Sequence, residues 1–252
     1  MVSSTKFRSA CAGLMALTLL CSPARALVSF NDGTDHLYIT GTGSASYDSN
    51  IFAHAGGDGD YIYSAGFLLE YARRAGWISV DASVGVNASR FGSNTTQDFN
   101  DPSFTAEFTK TGGRTTGSLK LLADKESEAD ALAGTRTQSW NYSADLKFKY
   151  PVIERYSFSG DFAYSDRVYD QPTILTDLKT YTAGTDLLYA LTADRDFVAG
   201  YQYRYSETSA TAAFDDQSVT AGVSGQIFSK LSGSLRAGYE IRNPRGSSSD
   251  GD

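Results

Sequence analysis

The stretch Trp77-Ile78-Ser79-Val80-Asp81-Ala82-Ser83-Val84-Gly85-Val86-Asn87-Ala88-Ser89 decides the fold class. Ile78, Val80, Ala82, Val84, Val86 and Ala88 fall on one side, and Ser79, Asp81, Ser83, Gly85, Asn87 and Ser89 on the other. A period of two is the mark of a β-strand with one apolar and one polar face, and helical spacing cannot produce it. Strands of soluble sandwiches run to about 5 to 6 residues. A run of about twelve, rising about 3.3 Å per residue and tilted by about 40°, climbs roughly 30 Å, the height of a membrane wall.

The same alternation recurs along the chain. Trp140, Tyr142, Ala144, Leu146, Phe148 and Tyr150 oppose Asn141, Ser143, Asp145, Lys147 and Lys149. Further runs carry Tyr156, Phe158, Phe162 and Tyr164; Phe197, Ala199, Tyr201, Tyr203 and Tyr205; Val219, Ala221, Val223 and Ile227; and Leu231, Leu235, Ala237, Tyr239 and Ile241. Weaker alternation marks strands near 36–47, 60–72, 103–111, 114–124 and 177–189. Short turns at 74–76, 111–113, 151–154, 191–194 and 228–230 alternate with longer polar segments at 48–60, 92–101, 125–138, 168–176 and 207–216. Short periplasmic turns alternating with longer external loops predict an all-β, antiparallel up-and-down transmembrane β-barrel, with the start of the mature chain in the periplasm. Eleven strands are visible, and twelve or more are expected in the complete protein.

Residues 1–26 read as a cleaved secretory signal: Lys6 and Arg8 are the positive region, Ala10 to Leu20 the apolar one, and Ala24-Arg25-Ala26 the small-x-small cleavage pattern. Both cysteines, Cys11 and Cys21, lie within it, so residues 27–252 form a barrel domain without disulfides. Removal of Lys6, Arg8 and Arg25 leaves 19 basic residues against 29 acidic, a net −10. That balance argues against nucleic acid as a partner. With 16 Tyr and 14 Phe but a mean hydropathy of only −0.30, the chain is aromatic-rich yet polar on average.

Parity assigns the polar faces to the lumen, with Glu70, Asp81, Glu107, Lys120, Asp145, Lys147, Asp161, Arg204, Arg236 and Glu240 as its candidate charges. Arranged as opposed acidic and basic walls, they would set a transverse field across the pore. Trp140, Tyr142, Tyr150, Tyr156, Tyr164, Tyr203 and Tyr205 are the candidate aromatic girdle. The loops contain Asp48-Ser49-Asn50 and Asp58-Gly59-Asp60, oxygen-rich sequences that could hold a divalent cation but read better as turn chemistry. No enzyme is expected: His36 and His54 are the two histidines, alternation puts them at opposite membrane faces, and no cofactor or metal site is legible.

Leu37-Tyr38-Ile39-Thr40-Gly41-Thr42-Gly43-Ser44-Ala45-Ser46-Tyr47 running into Asp48-Ser49-Asn50-Ile51-Phe52 resembles the N-terminal start of the porin-2 type of β-barrel outer-membrane protein. The resemblance implies an outer-membrane barrel with a pore role and brings no catalytic residues. The expected function is a porin-like water-filled channel for passive diffusion of small polar solutes. Outer-membrane lipid, lipopolysaccharide and the barrel-assembly machinery are the expected partners. A plugged or structural barrel that binds a ligand through its external loops is the alternative. The last run, Leu231 to Arg242, leads into what alternation makes an external segment, whereas a closed bacterial barrel has an even strand count. One or more further C-terminal strands are therefore expected, unless Leu27 to Phe30 supplies the twelfth.

Overall fold

Every strand pairs with its neighbour in sequence, and the result is one antiparallel sheet of twelve strands in the order β1 to β12. The structure, a computed structural model, describes residues 24–131, 134–170, 175–228 and 231–245. The strands are β1 Ala24–Phe30, β2 Asp35–Asp48, β3 Asp60–Arg73, β4 Ser79–Phe91, β5 Phe99–Lys110 and β6 Thr116–Asp130. They continue with β7 Thr135–Ile153, β8 Tyr156–Tyr169, β9 Leu178–Thr192, β10 Arg195–Thr208, β11 Ala213–Phe228 and β12 Leu231–Arg245. A short 3-10 turn, Thr95–Gln97, sits between β4 and β5. The fold is an all-β, antiparallel up-and-down barrel, open among the described residues between its two edge strands, β1 and β12.

The register shows why this sheet is a barrel wall and not a flat plank. One line of directly opposed residues runs His36, Ala72, Asp81, Glu107, Lys120, Asp145, Ala163, Thr182, Arg204, Asp216, Arg242 from β2 to β12. It starts at the second residue of β2, beside a short turn, and ends at the twelfth residue of β12, near the long-loop side. The strands are thus progressively staggered, as tilted strands in a sheared barrel must be.

The count is twelve strands where the alternation displays eleven. The additional one is β1, whose Val28, Ser29 and Phe30 lie opposite Leu37, His36 and Asp35. Its turn is made by Asn31, Asp32 and Gly33, all at positive φ (52°, 54° and 80°), a conformation that Asn, Asp and Gly tolerate best. Residues 1–23 of the expected leader are outside the described residues, while Ala24, Arg25 and Ala26 pair with Gly41, Thr40 and Ile39.

Several boundaries also differ. The strand around Val84 starts at Ser79 and continues to Phe91. The segment 125–138, expected as a loop, is mostly strand: β6 runs on to Asp130 and β7 begins at Thr135. This hairpin carries polar residues on both faces, Lys125 to Glu128 on one strand and Thr135 to Ser139 on the other, so hydrophobic alternation has nothing to mark. β12 extends to Arg245, and residues 229–230 of the expected last turn, 171–174 of the expected loop 168–176 and the terminal 246–252 are outside the described residues.

The burial pattern is inverted relative to a soluble domain. Among the described residues the buried hydrophobics are only Ile51, Phe91, Ala106 and Val198. The exposed face carries Phe67, Val84, Phe104, Leu146, Phe162, Leu187, Val219 and Leu235, spread from β3 to β12 and 42% to 75% accessible. Contiguous apolar patches on soluble monomers rarely exceed a few hundred Å², and this one runs across almost the entire sheet.

Candidate functional site

The registers put all ten sequence-chosen charges on one face of the sheet. Asp81, Glu107, Lys120, Asp145 and Arg204 belong to the single line traced above; Lys147, Asp161 and Glu240 join a second line through Gly184, Gln202 and Ser218. Glu70 stands between Tyr38 and Ser83, and Arg236 opposite Gly222. The spaces between them are filled by small polar groups, including hydroxyl pairs Ser64 with Ser89 at 2.8 Å and Ser83 with Thr105 at 2.7 Å.

Charge is not divided into two opposed walls. From β3 to β5 the central residues are acidic, Glu70, Asp81 and Glu107; from β6 onwards the signs alternate, with Lys120, Lys147 and Arg204 each placed in register with an acid. Lys120 lies between Glu107 and Asp145, and Lys147 opposite Asp161. The acidic arc and Lys120 surround a recess of about 440 Å³, with Tyr38 and Ser83 in its wall. At its turn-side edge Arg74 bonds Asp81 at 2.5 Å. That hydrogen bond, and the carboxylate's charge, hold the Arg74 guanidinium above its usual range against a smaller opposing desolvation.

On the far strands Arg236 forks onto Asp186 with bonds of 3.0 and 3.1 Å, reaching from β12 to β9 across two strands. Gly200 makes the reach possible, since a Cβ there would collide with Asp186 Oδ1. Arg242 forks onto Asp216 at 2.7 and 2.9 Å. Arg167 gathers Glu126, Glu128 and Ser139 at 3.4, 3.1 and 3.2 Å. Bidentate guanidinium pairs fix geometry as well as charge, so this polar face is a stiff lattice and not a brush of free side chains.

The girdle candidates cluster on the opposite face. Trp140 and Tyr142 stack 5.9 Å apart at 8°. Tyr164, Tyr181 and Tyr205 form a row with centroids 5.0 and 6.3 Å apart, and Tyr156 meets Tyr189 at 4.9 Å. Tyr150 lies under Arg114, 4.8 Å from its guanidinium carbon. Tyr203 gives its hydroxyl proton to Asp215, which also receives Arg245.

Sequence parity misses the third part of the site, a cap on the long-loop side. The β2–β3 loop folds inward so that Ile51 is fully buried. The loop is closed by its own bonds: Ile51 N donates to Asp58 O at 3.0 Å, Asn50 Nδ2 to His54 O at 2.9 Å and Asn50 N to Asp48 Oδ1 at 2.9 Å. Arg136 of the β6–β7 hairpin then latches it. Its guanidinium donates to Ile51 O at 3.4 Å and Ser127 O at 2.9 Å, and lies 5.2 and 5.5 Å from the rings of Phe91 and Phe99. Asp101 holds the other side of the hairpin by accepting from Ser127 N and Oγ at 3.0 and 2.7 Å.

Asp60, weighed from sequence as a cation ligand, has a different task. Its carboxylate is buried and accepts from Tyr61 N, Ser93 N, Asn94 N and Asn94 Nδ2 at 2.7 to 3.0 Å. Those donors occupy the lone pairs a cation would need, and they pin the β4–β5 loop to β3. Asp60→Ala is expected to orphan them and speed protease cleavage within 92–98 by on the order of tenfold, with the strands still protected from hydrogen exchange. An unchanged cleavage rate would show the loop is held by other contacts.

No family model matches the sequence, and no curated protein does. Among solved structures the chain is similar to a loop L8 deletion mutant of OmpT, an outer-membrane protein of Vibrio cholerae, at a TM-score of 0.45 and 11% identity, covering 83% of this chain and 85% of that chain. It is also similar to in-vitro folded OmpT of Vibrio cholerae in its trimer form, at 0.42 and 9%, covering 88% and 86%.

Proposed function

We propose that this chain spans the bacterial outer membrane as a porin-2 type barrel and acts as a water-filled channel for passive diffusion of small polar solutes. The observation that carries the reading is the inverted sheet: its apolar face is exposed from β3 to β12, while Ser, Thr, Gly and paired charges line the other. Lipid is the solvent that suits the first face and water the second. An eight-stranded barrel can be filled by its own side chains, whereas twelve strands with small lining residues leave room for water. In this reading the short turns and the chain's start face the periplasm, the cap faces outward beside lipopolysaccharide, insertion goes through the barrel-assembly machinery, and no residue is catalytic.

The cap supports a second reading, a plugged barrel opened on demand, because Ile51 and Arg136 close over the β2–β7 side of the mouth. Refolded protein is expected to shift on a gel with heating and to conduct ions in a planar bilayer above the lipid background. A folded, heat-modifiable product that does not conduct would retire the open channel in favour of the plug. A soluble product without a heat shift would retire both. Loss of a hydrolytic activity in His54→Ala would overturn the non-enzymatic reading.

A further inference from the structure

The outer face is asymmetric in how it treats its cations. On the long-loop side three are matched to acids: Lys125 to Asp170 at 2.9 Å, Lys179 to Asp166 at 3.6 Å and Arg90 to Asp98 at 3.8 Å. On the short-turn side, around the β5–β6 turn, two cations have no acidic partner within ion-pair distance among the described residues and bond main-chain oxygens instead. Lys110 Nζ donates to Gly112 O and Thr115 O at 2.8 and 2.5 Å. Arg114 donates to Pro151 O and Val152 O at 3.3 and 3.0 Å and rests on Tyr150. These carbonyls orient the two side chains and leave their charge uncompensated.

Directly beside them the apolar face is hollow. A trough of about 410 Å³ runs over Gly117 between Ile78, Phe108, Leu119, Leu146 and Phe148, and Lys110 closes its turn-side end. Its floor is glycine because a Cβ at 117 would run into Lys147 O and Phe148 of the paired strand. Trp77, 87% exposed, and Arg114 border the adjoining recess of about 560 Å³ between the two turns. An apolar slot that ends in two uncompensated cations and an interfacial indole matches an acyl chain joined to a phosphate.

We propose that this is a binding site for one anionic phospholipid of the turn-side leaflet, with its phosphate at Lys110 and Arg114 and an acyl chain along the Gly117 trough. The proposal rests on the membrane reading above. Each cation facing an anionic lipid surface is worth a factor of about five, so the pair should enrich an anionic lipid by about 25-fold over a zwitterionic one.

The full chain with Trp140→Phe, which leaves Trp77 as the one tryptophan of the mature segment, is reconstituted in phosphatidylcholine vesicles. These carry a minor fraction of either chain-brominated phosphatidylglycerol or chain-brominated phosphatidylcholine. Brominated phosphatidylglycerol is expected to quench Trp77 far more strongly. The preference should fall to near parity in Lys110→Gln/Arg114→Gln and persist in Lys110→Arg/Arg114→Lys, with every protein still heat-modifiable. Equal quenching by the two lipids, or a preference that survives the double glutamine change, would overturn the lipid site and leave the membrane barrel standing. Quenching by neither lipid would overturn the membrane reading itself.

Discussion

Changing Phe162 to Arg is expected to prevent stable assembly, whereas the same change one residue later, Ala163→Arg, should be nearly silent. Phe162 is at the middle of β8, 43% exposed, and lies opposite Leu146 and Ala183 on the apolar face. An arginine at mid-depth on a lipid-facing wall costs about 2 to 4 kcal/mol. Ala163 is opposite Asp145 and Thr182 on the polar face. An arginine there gains an acidic neighbour and should stay within about 0.5 kcal/mol of the parent. Urea titration of vesicle-reconstituted protein, followed by the heat-dependent gel shift, separates the two. Similar losses for both would mean that neither face meets lipid, and with that the membrane reading would fall.

Arg136→Ala is expected to free the cap without unfolding the wall. The guanidinium holds the β2–β3 loop through Ile51 O and the β6–β7 hairpin through Ser127 O, against two aromatic rings. Hydrogen bonds from charged groups are worth about 1.5 to 3 kcal/mol, so loop opening should rise roughly 10- to 100-fold. The measurable results are faster protease cleavage at 53–57, unchanged exchange protection in the strands, and larger or more frequent conducting events in a bilayer. Arg136→Lys keeps the charge but loses the fork and should fall between. Conductance identical to the parent, together with a cleaved loop, would show that the cap does not control the passage.

The wall was legible in the sequence and the cap was not, for a physical reason. Between Ser79 and Phe91, or Tyr156 and Tyr169, one face meets an apolar surrounding and the other does not, so alternation is compulsory and parity places Asp81, Asp161 and their neighbours on one side. β1 was legible only as the alternative that Leu27 to Phe30 supply a twelfth strand, because its apolar residues merge with the leader, although Asn31-Asp32-Gly33 carries the hairpin signal. The outer thirds of β6 and β7 escaped because strands with polar residues on both faces have no hydrophobic pattern to show. Arg136, Phe91, Phe99 and Ile51 meet only through the folding of three separate loops, which no periodicity encodes. Charge pairing was half legible: parity gave the face, but whether Arg236 reaches Asp186 depends on the room left at Gly200.

The neighbour-to-neighbour order of the twelve strands has a kinetic consequence. Each hairpin can form from contacts close in sequence, and contact locality is what makes folding fast. The wall can therefore grow strand by strand from any starting hairpin. Bringing β1 and β12 together would close a loop of roughly 200 residues, at an entropic cost of about 5 kcal/mol, a step no neighbouring hairpin requires. Among the described residues β1 and β12 each present a ribbon of unpaired main-chain groups, β12 with all fifteen of its side chains exposed, and such edges invite other chains. The vulnerable stage for this protein is thus the one at which such edges stand open in water, and a chaperone would need to shield them together with the apolar face.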